Sequence, residues 1–451
     1  MEKREGFSSK FGILAAAIGS AVGLGNIWRF PYVTGKYGGG AFLIIYLGIV
    51  AIIGLPLMLS EFVIGREAKL DAIGSFKKLD SKRPFYISGV LGVLSAFFIL
   101  SYYGVVAGWT LEYVFSSITN KFAGQNSEEI ANMFGTFIQH PYRPIIWQII
   151  FMGVTGLVVS TGIEKGIEKV SKIMVPLLLV LIIVLDIRAI SLPNSMEGLK
   201  FLFKPDFSII DRRVVLAALG HAFYSLSLGM GIMITYGSYI GDKENLGKTA
   251  LQISIADTLI ALLAGVAIFP AVFAYGLDPA EGPGLVFTTL PNVFNQMPGG
   301  YFFSIMFFSL LALAALTSTI SLLEVVVAFL VDSLKMERKK ASILSFTSIT
   351  IIGFFASLAN GPLSGKVFFG KNFFDFLDTT TANYFLTTAA LISVIFIGWF
   401  MNKDRVKAQL TSEGSFNVMY EKAFYTIIRY IAPIGILLVF LYQIGVFGEK
   451  L

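Results

Sequence analysis

The chain has no cysteine and only two histidines, His140 and His221. Disulfides, thiol catalysis and cysteine metal sites are thereby excluded, and a histidine metal cluster nearly so. Charge is also sparse. Asp, Glu, Lys and Arg make up 14% of 451 residues, against roughly 25% in a soluble domain. Apolar residues take 55%, and mean hydropathy is +0.75. Their repeated runs of roughly 20 residues fit the thickness of a bilayer's hydrocarbon core. The fold class is a polytopic, all-α membrane protein. The net charge of +6 gathers in short loops between apolar runs, the positive-inside pattern. Its expected partner is therefore anionic lipid rather than nucleic acid.

Apolar segments recur at about 11–36, 41–64, 86–118, 143–160, 167–187, 214–240, 249–275, 302–331, 342–360, 374–400 and 424–446. These make about eleven transmembrane helices. Loops 65–85, 161–169, 241–248, 333–341 and 401–423 are basic, whereas 276–301 holds no Lys or Arg. Alternation predicts a cytoplasmic N-terminus and an external C-terminus. Loop 188–213 argues weakly against this, being predicted external yet carrying Arg188, Lys200, Lys204, Arg212 and Arg213. Lys3, Arg4 and Lys10 resemble the start of a signal peptide. The run they precede holds Asn26, Arg29 and Pro31 and outlasts a cleaved segment, so it reads as a retained first helix. Helices one to five (1–187) and six to ten (211–400) form a candidate five-plus-five repeat. It is inverted because five is odd. Residues 420–447 hold the eleventh helix.

Glycine interrupts two spans midway, with GSAVGLGN over 19–26 and SLSLGMG over 225–231. Open backbone at membrane depth survives only if buried in protein or lining a cavity. Paired breaks in corresponding positions of two halves point to a carrier's substrate site. For either break alone, close helix packing is the alternative. Unwound carbonyls and the Asn26 amide are hard oxygen ligands suited to an alkali cation, and helix N-terminal N–H groups attract a carboxylate.

Asp257 lies inside an apolar run, where an unpaired carboxylate is costly. A bound cation is its natural partner; a protonated structural Asp is the other reading. Ala314, Thr317, Ser318 and Leu322 share one helical face, as do Ile99 and Tyr103. Hydroxyls bonded to their own backbone, and plain packing, are the simpler readings of those two faces. For His221, structural hydrogen bonding and proton-sensitive coupling both stay open.

Residues 19–31, GSAVGLGNIWRFP, followed by GGGAF at 38–42, resemble the first-helix signature of the neurotransmitter:sodium symporter family. The resemblance continues through Gly54-Leu55-Pro56, Tyr102-Tyr103, the 225–231 break, Thr317-Ser318 and Asp378. It is nearest the bacterial eleven-helix amino-acid transporters. It implies two sodium sites. One would use the carbonyls of Gly19, Val22 and Ala314 with the hydroxyls of Thr317 and Ser318. The other would use the Ala21 carbonyl, Asn26, Ser225, Asp257 and the substrate's own carboxylate, so that ion and substrate bind cooperatively.

The implied substrate pocket takes Ser20, Ala21, Leu24, Gly25, Ile99 and Tyr103 from the first half. Tyr224, Ser225, Ser227, Met230, Ser318 and Leu322 complete it. Tyr103 and the N–H groups of Leu24 and Gly25 would hold the carboxylate, and Ser227 the ammonium. Ile99, Tyr224, Met230 and Leu322 would form an apolar, partly adaptable subsite. Monoamine-carrying relatives place an aspartate at Gly23; its absence implies a substrate that brings its own carboxylate. Asp257 stands where many relatives carry asparagine, and His221 replaces a common glutamine. The fixed negative charge implies that chloride is not required.

Two gates are implied, Arg29 with Asp378 on one side and Arg4 with Asp332 on the other, the second supported by Ser238, Tyr239 and Glu324. Gly166 and Pro176 would let the fifth helix unwind to hydrate the first of these sodium sites, or are an ordinary helix start and a tolerated proline. The expectation is sodium-coupled symport of hydrophobic or aromatic L-amino acids into the cell by alternating access. The chain would lie in the bacterial cytoplasmic membrane as a monomer or weak dimer. A membrane sensor that binds an amino acid without transport is the rival. An enzyme is disfavoured, since no Ser–His or paired-aspartate constellation accompanies the spans.

Overall fold

The computed structural model describes residues 5–277 and 285–446. Among the described residues, nine helices are long and apolar enough to cross a membrane, and a tenth span is the bent pair Lys10–Ala21 and Gly25–Lys36. The pair Arg212–Ser225 and Ile232–Tyr239 supplies the remaining expected span; each of its halves is short. The basic loops are partly helical, with Ala72–Leu79 and Lys403–Thr411 inside two of them. Loop 188–213 contains the helix Ser195–Phe203, packed on Leu246–Ala274. Leu285–Gln296 is helical within the segment free of Lys and Arg.

Burial separates scaffold from core. The most apolar window of Gly300–Asp332 is 89% buried, but those of Ile163–Ile190 and Glu421–Gln443 are 28% buried. The first is a central post; the other two face lipid. Tyr86–Ile118 packs along that post, and both broken helices lean against it. Lipid tails offer no hydrophobic drive between helices, so close approach relies on small residues. A Cβ on Gly237 would come within 2.8 Å of Phe62 O, and one on Gly65 would collide with the Ile234 carbonyl. That tight seam fixes the second half of the second broken helix on Leu55–Ala68.

The basic loops converge at one end of the molecule. Arg66 is buried there and donates to Glu244 O and Gln409 Oε1, both at 2.6 Å, and to the Gln409 carbonyl. Lys69 pairs with Asp242 at 2.8 Å. The N-terminal segment joins this end through Phe7 N–H to Tyr239 O, 3.3 Å.

Candidate functional site

The two breaks meet against the central post around a small chamber, with about 330 Å³ of empty space counted to its open side. Ser20, Ala21, Gly25, Ile99, Tyr103, Tyr224, Ser227, Met230, Ser318 and Leu322, ten of the twelve residues implied for the pocket, line it. Gly23, the position used above to infer the substrate class, also lines it, as does Ile232, which the sequence pattern does not signal. Two expected residues do not line it. Leu24 instead donates its N–H to the Tyr103 hydroxyl at 2.9 Å. Ser225 turns away, because the Asp257 carboxylate behind the wall takes its hydroxyl at 3.0 and 2.9 Å.

That carboxylate anchors the first polar cluster. Asn26 Nδ2 donates to Asp257 Oδ1 at 2.7 Å and to its carbonyl at 3.0 Å. The Asn26 Oδ1 accepts from Gly23 N at 3.2 Å, which caps the break. Tyr46 OH reaches Asp257 Oδ2 at 3.2 Å, a contact that no sequence pattern signalled. All these groups are buried, so oxygens and one formal charge are concentrated in a dry site. His221 lies next to them with its ring 5.3 Å from Tyr46. Neither of its nitrogens has a hydrogen-bond partner among the described residues, so the structure supplies no hydrogen bond for the structural reading.

A second cluster is neutral. Thr317 Oγ1 donates to Ala314 O at 3.0 Å and lies 3.4 Å from Val22 O. A Cβ on Gly19 would press on the Thr317 and Val175 side chains at 3.2 Å, so a larger residue there would push the neighbouring helices outward by a few tenths of an ångström. Ser318 Oγ lies 3.3 Å from Ser20 O and so links this cluster to the chamber. Glu61 was not foreseen. It is fully buried, its Oε1 accepts from Gly229 N at 2.8 Å, and its Oε2 has no partner. A carboxylate in the apolar run around Glu61 is the same signal that marked Asp257.

The profile of the sodium:neurotransmitter symporter family matches residues 4–139 and 135–450. The chain belongs to this family. It is 39% identical over 440 residues to the sodium-dependent transporter YhdH of Bacillus subtilis, covering 98% of each chain. It is 27% identical to the sodium-dependent serotonin transporter of Drosophila melanogaster, covering 99% of this chain and 78% of that one. The crystal structure of MhsT in complex with L-phenylalanine superposes with a TM-score of 0.91 at 45% identity, covering 97% of this chain and 99% of the other. The chain is thus a membrane-spanning, sodium-dependent transporter and not an enzyme.

The symporter's two ends differ. At one, Arg29 and Asp378 face a shared cavity of about 1050 Å³, counted to its open mouth. They form no direct ion pair, contrary to expectation; the Arg29 guanidinium rests 4.7 Å from the centre of the Tyr224 ring. At the other end, Tyr239 OH donates to Glu324 Oε1 at 2.6 Å. Arg338 Nη1 donates to the same oxygen at 3.2 Å and Arg338 Nε to Val159 O at 3.1 Å. Phe7 packs edge-on against Tyr236 and Tyr239. Glu168 accepts from Ser8 N at 2.7 Å and from Ser9 Oγ at 2.8 Å. Ser238 bonds back to Thr235 O rather than joining this seal. Asp332 closes the central post, and its expected partner Arg4 lies outside the described residues. Gly166 and Pro176 both sit within the wound helix Ile163–Ile190.

Proposed function

We propose that this symporter carries hydrophobic or aromatic L-amino acids into the cell, with two sodium ions as co-substrates. The observation that carries the reading is the chamber's lack of charge. Its lining holds backbone, hydroxyls and apolar side chains but no carboxylate and no cation. A lone amine would find no counter-charge there. A carboxylate could be added at Gly23 only if its neighbours moved, since a Cβ would overlap Ser318 Oγ and lie 2.9 Å from Tyr103 OH. A zwitterion brings its own carboxylate, which would complete the oxygen shell begun by Ala21, Asn26, Ser225 and Asp257.

The second ion would use Gly19, Val22, Ala314, Thr317 and Ser318, all neutral oxygens. Two ligands that share a coordinating group raise each other's affinity by the same factor. Ile99, Tyr224, Met230 and Leu322 favour an apolar side chain, and the MhsT structure holds L-phenylalanine. The Asp257 charge makes chloride unnecessary. The inverted repeat would divide at 1–187 and 211–400, with the N-terminus cytoplasmic in the bacterial cytoplasmic membrane. Arg29 and Asp378 would close the open end, and Asp332, with Arg4, would help seal the other.

The test is uptake of labelled Trp, Tyr, Leu, Ala and a monoamine into proteoliposomes, with and without an inward sodium gradient. Sodium-driven accumulation of the apolar amino acids, unaffected by replacing chloride, is expected. Binding without accumulation would indicate a sensor instead. Monoamine uptake would overturn the argument from Gly23.

A further inference from the structure

A lipid-facing arginine stands apart from the transport site. Arg429 lies in the Glu421–Gln443 span, eight residues beyond its first residue, or about 12 Å along the axis at 1.5 Å per residue. An arginine at that depth is costly unless its charge reaches a partner. Its Nε donates to Gly398 O at 2.6 Å. Gly398 is small enough to allow this: a Cβ there would sit 3.1 Å from Arg429 Cγ. Both residues occupy π-helical turns, Phe396–Phe400 and Ile427–Ile431, irregularities that recur at functional sites. The guanidinium is clamped between two rings, 5.6 Å from Trp399 and 5.2 Å from Tyr425. Neither Nη1 nor Nη2 has an acceptor among the described residues, and no carboxylate pairs with the group.

We infer that Arg429, held on Trp399 and Tyr425, binds the phosphate of an anionic phospholipid between the Phe373–Phe400 and Glu421–Gln443 spans. A fork of free N–H donors on a rigid platform matches two phosphate oxygens, and its long stem reaches the headgroup layer. Trp399 is 55% exposed and Tyr430 53%, as suits rings at a membrane interface. Between 399 and 430 there are five cations and three carboxylates. Of the carboxylates, Glu421 is paired with Lys407 at 3.5 Å. Tyr425 OH contacts the backbone carbonyl of Lys403 at 3.4 Å, which ties the ring to the start of the Lys403–Thr411 helix. The surplus favours phosphatidylglycerol over zwitterionic phosphatidylcholine.

The test titrates the full-length protein in detergent with phosphatidylglycerol or phosphatidylcholine and reads retained lipid by native mass spectrometry. The wild type should retain phosphatidylglycerol about tenfold better. Arg429→Gln should abolish that preference. Arg83→Gln should keep it, since Arg83 Nη1 already pairs with Asp80 at 3.3 Å and its guanidinium lies 4.6 Å over the Phe400 ring rather than on Trp399 or Tyr425. Millimolar inorganic phosphate should leave the lipid bound. If Arg429→Gln cannot be recovered, Trp399→Leu removes the platform and should show the same loss. No preference in the wild type, a preference that survives in Arg429→Gln, equal loss in Arg83→Gln, or displacement by phosphate would each overturn the assignment.

Discussion

The two broken helices read alike in sequence but are held open by different means. The first bends by 45°, and side chains of particular identity satisfy its exposed N–H groups. Asn26 caps Gly23, and Tyr103 takes Leu24. The second runs through left-handed backbone at Ser227, Gly229 and Gly231, with Glu61 as its carboxylate cap. One break is a side-chain cage wired to Asp257; the other is a backbone shape. The first should therefore govern ions and the second the substrate wall.

The largest expected effect tests the cage. Asp257→Ala leaves Asn26, Ser225 and Tyr46 facing each other without their acceptor. Removing one partner from a buried charged network costs about 3–5 kcal/mol, or roughly a hundredfold or more in apparent sodium affinity. Sodium-dependent substrate binding measures it, and chloride should partly restore the lost charge. Unchanged sodium affinity would take Asp257 out of the site and dissolve the distinction between the breaks.

Next comes the backbone shape. Gly229 has φ +74°, and a Cβ there would sit 2.5 Å from Leu386 O. Gly229→Ala thus combines left-handed strain with a clash against backbone, about 2–4 kcal/mol together. Thermal stability and substrate affinity should both fall, while sodium binding without substrate should fall much less. Equal loss of both would mean that the two breaks act as one unit.

What could be read from the sequence follows the same division. Glycine runs, Asn26 and Asp257 are visible because each violates what an apolar span should contain. Glu61 violates it equally and was overlooked because nothing near it in sequence looked like a site. Its partner Gly229 lies 168 residues away. Tyr46 carried no signal, since a tyrosine in an apolar run is ordinary until tertiary packing aims its hydroxyl at Asp257. The family resemblance implies Leu24 and Ser225 as pocket residues, and a motif carries no information on which way each side of the break turns. Rotation along each break points Ser225 at the ion cluster and ties Leu24 to Tyr103. Arg29 stands apart from Asp378 with its guanidinium on the Tyr224 ring, a contact between positions 195 residues apart that only tertiary packing supplies.

A smaller effect isolates the cap. Glu61→Ala strips the Gly229 N–H of its acceptor in a buried setting, which costs about 1–3 kcal/mol. Glu61→Gln keeps an oxygen in place and should recover most of it. Substrate affinity should track this pair. If Gln is as damaging as Ala, the charge rather than the hydrogen bond is what the second break requires.

The smallest effect separates strain from chemistry at Ser227, a non-glycine residue at φ +54°. Its hydroxyl donates to Ser20 O at 3.2 Å, so substitution changes two things at once. Ser227→Ala removes the hydroxyl and keeps the strain; Ser227→Gly removes both. Left-handed backbone costs an L-residue about 1 kcal/mol relative to glycine, so the Gly variant should be more thermostable than the Ala variant by that amount. Substrate affinity should be reduced equally in both, because the hydroxyl facing the chamber is lost in each. If affinity recovers with stability in Ser227→Gly, the wall is limited by backbone strain alone. Ser227 would then have no place among the groups that hold the ammonium.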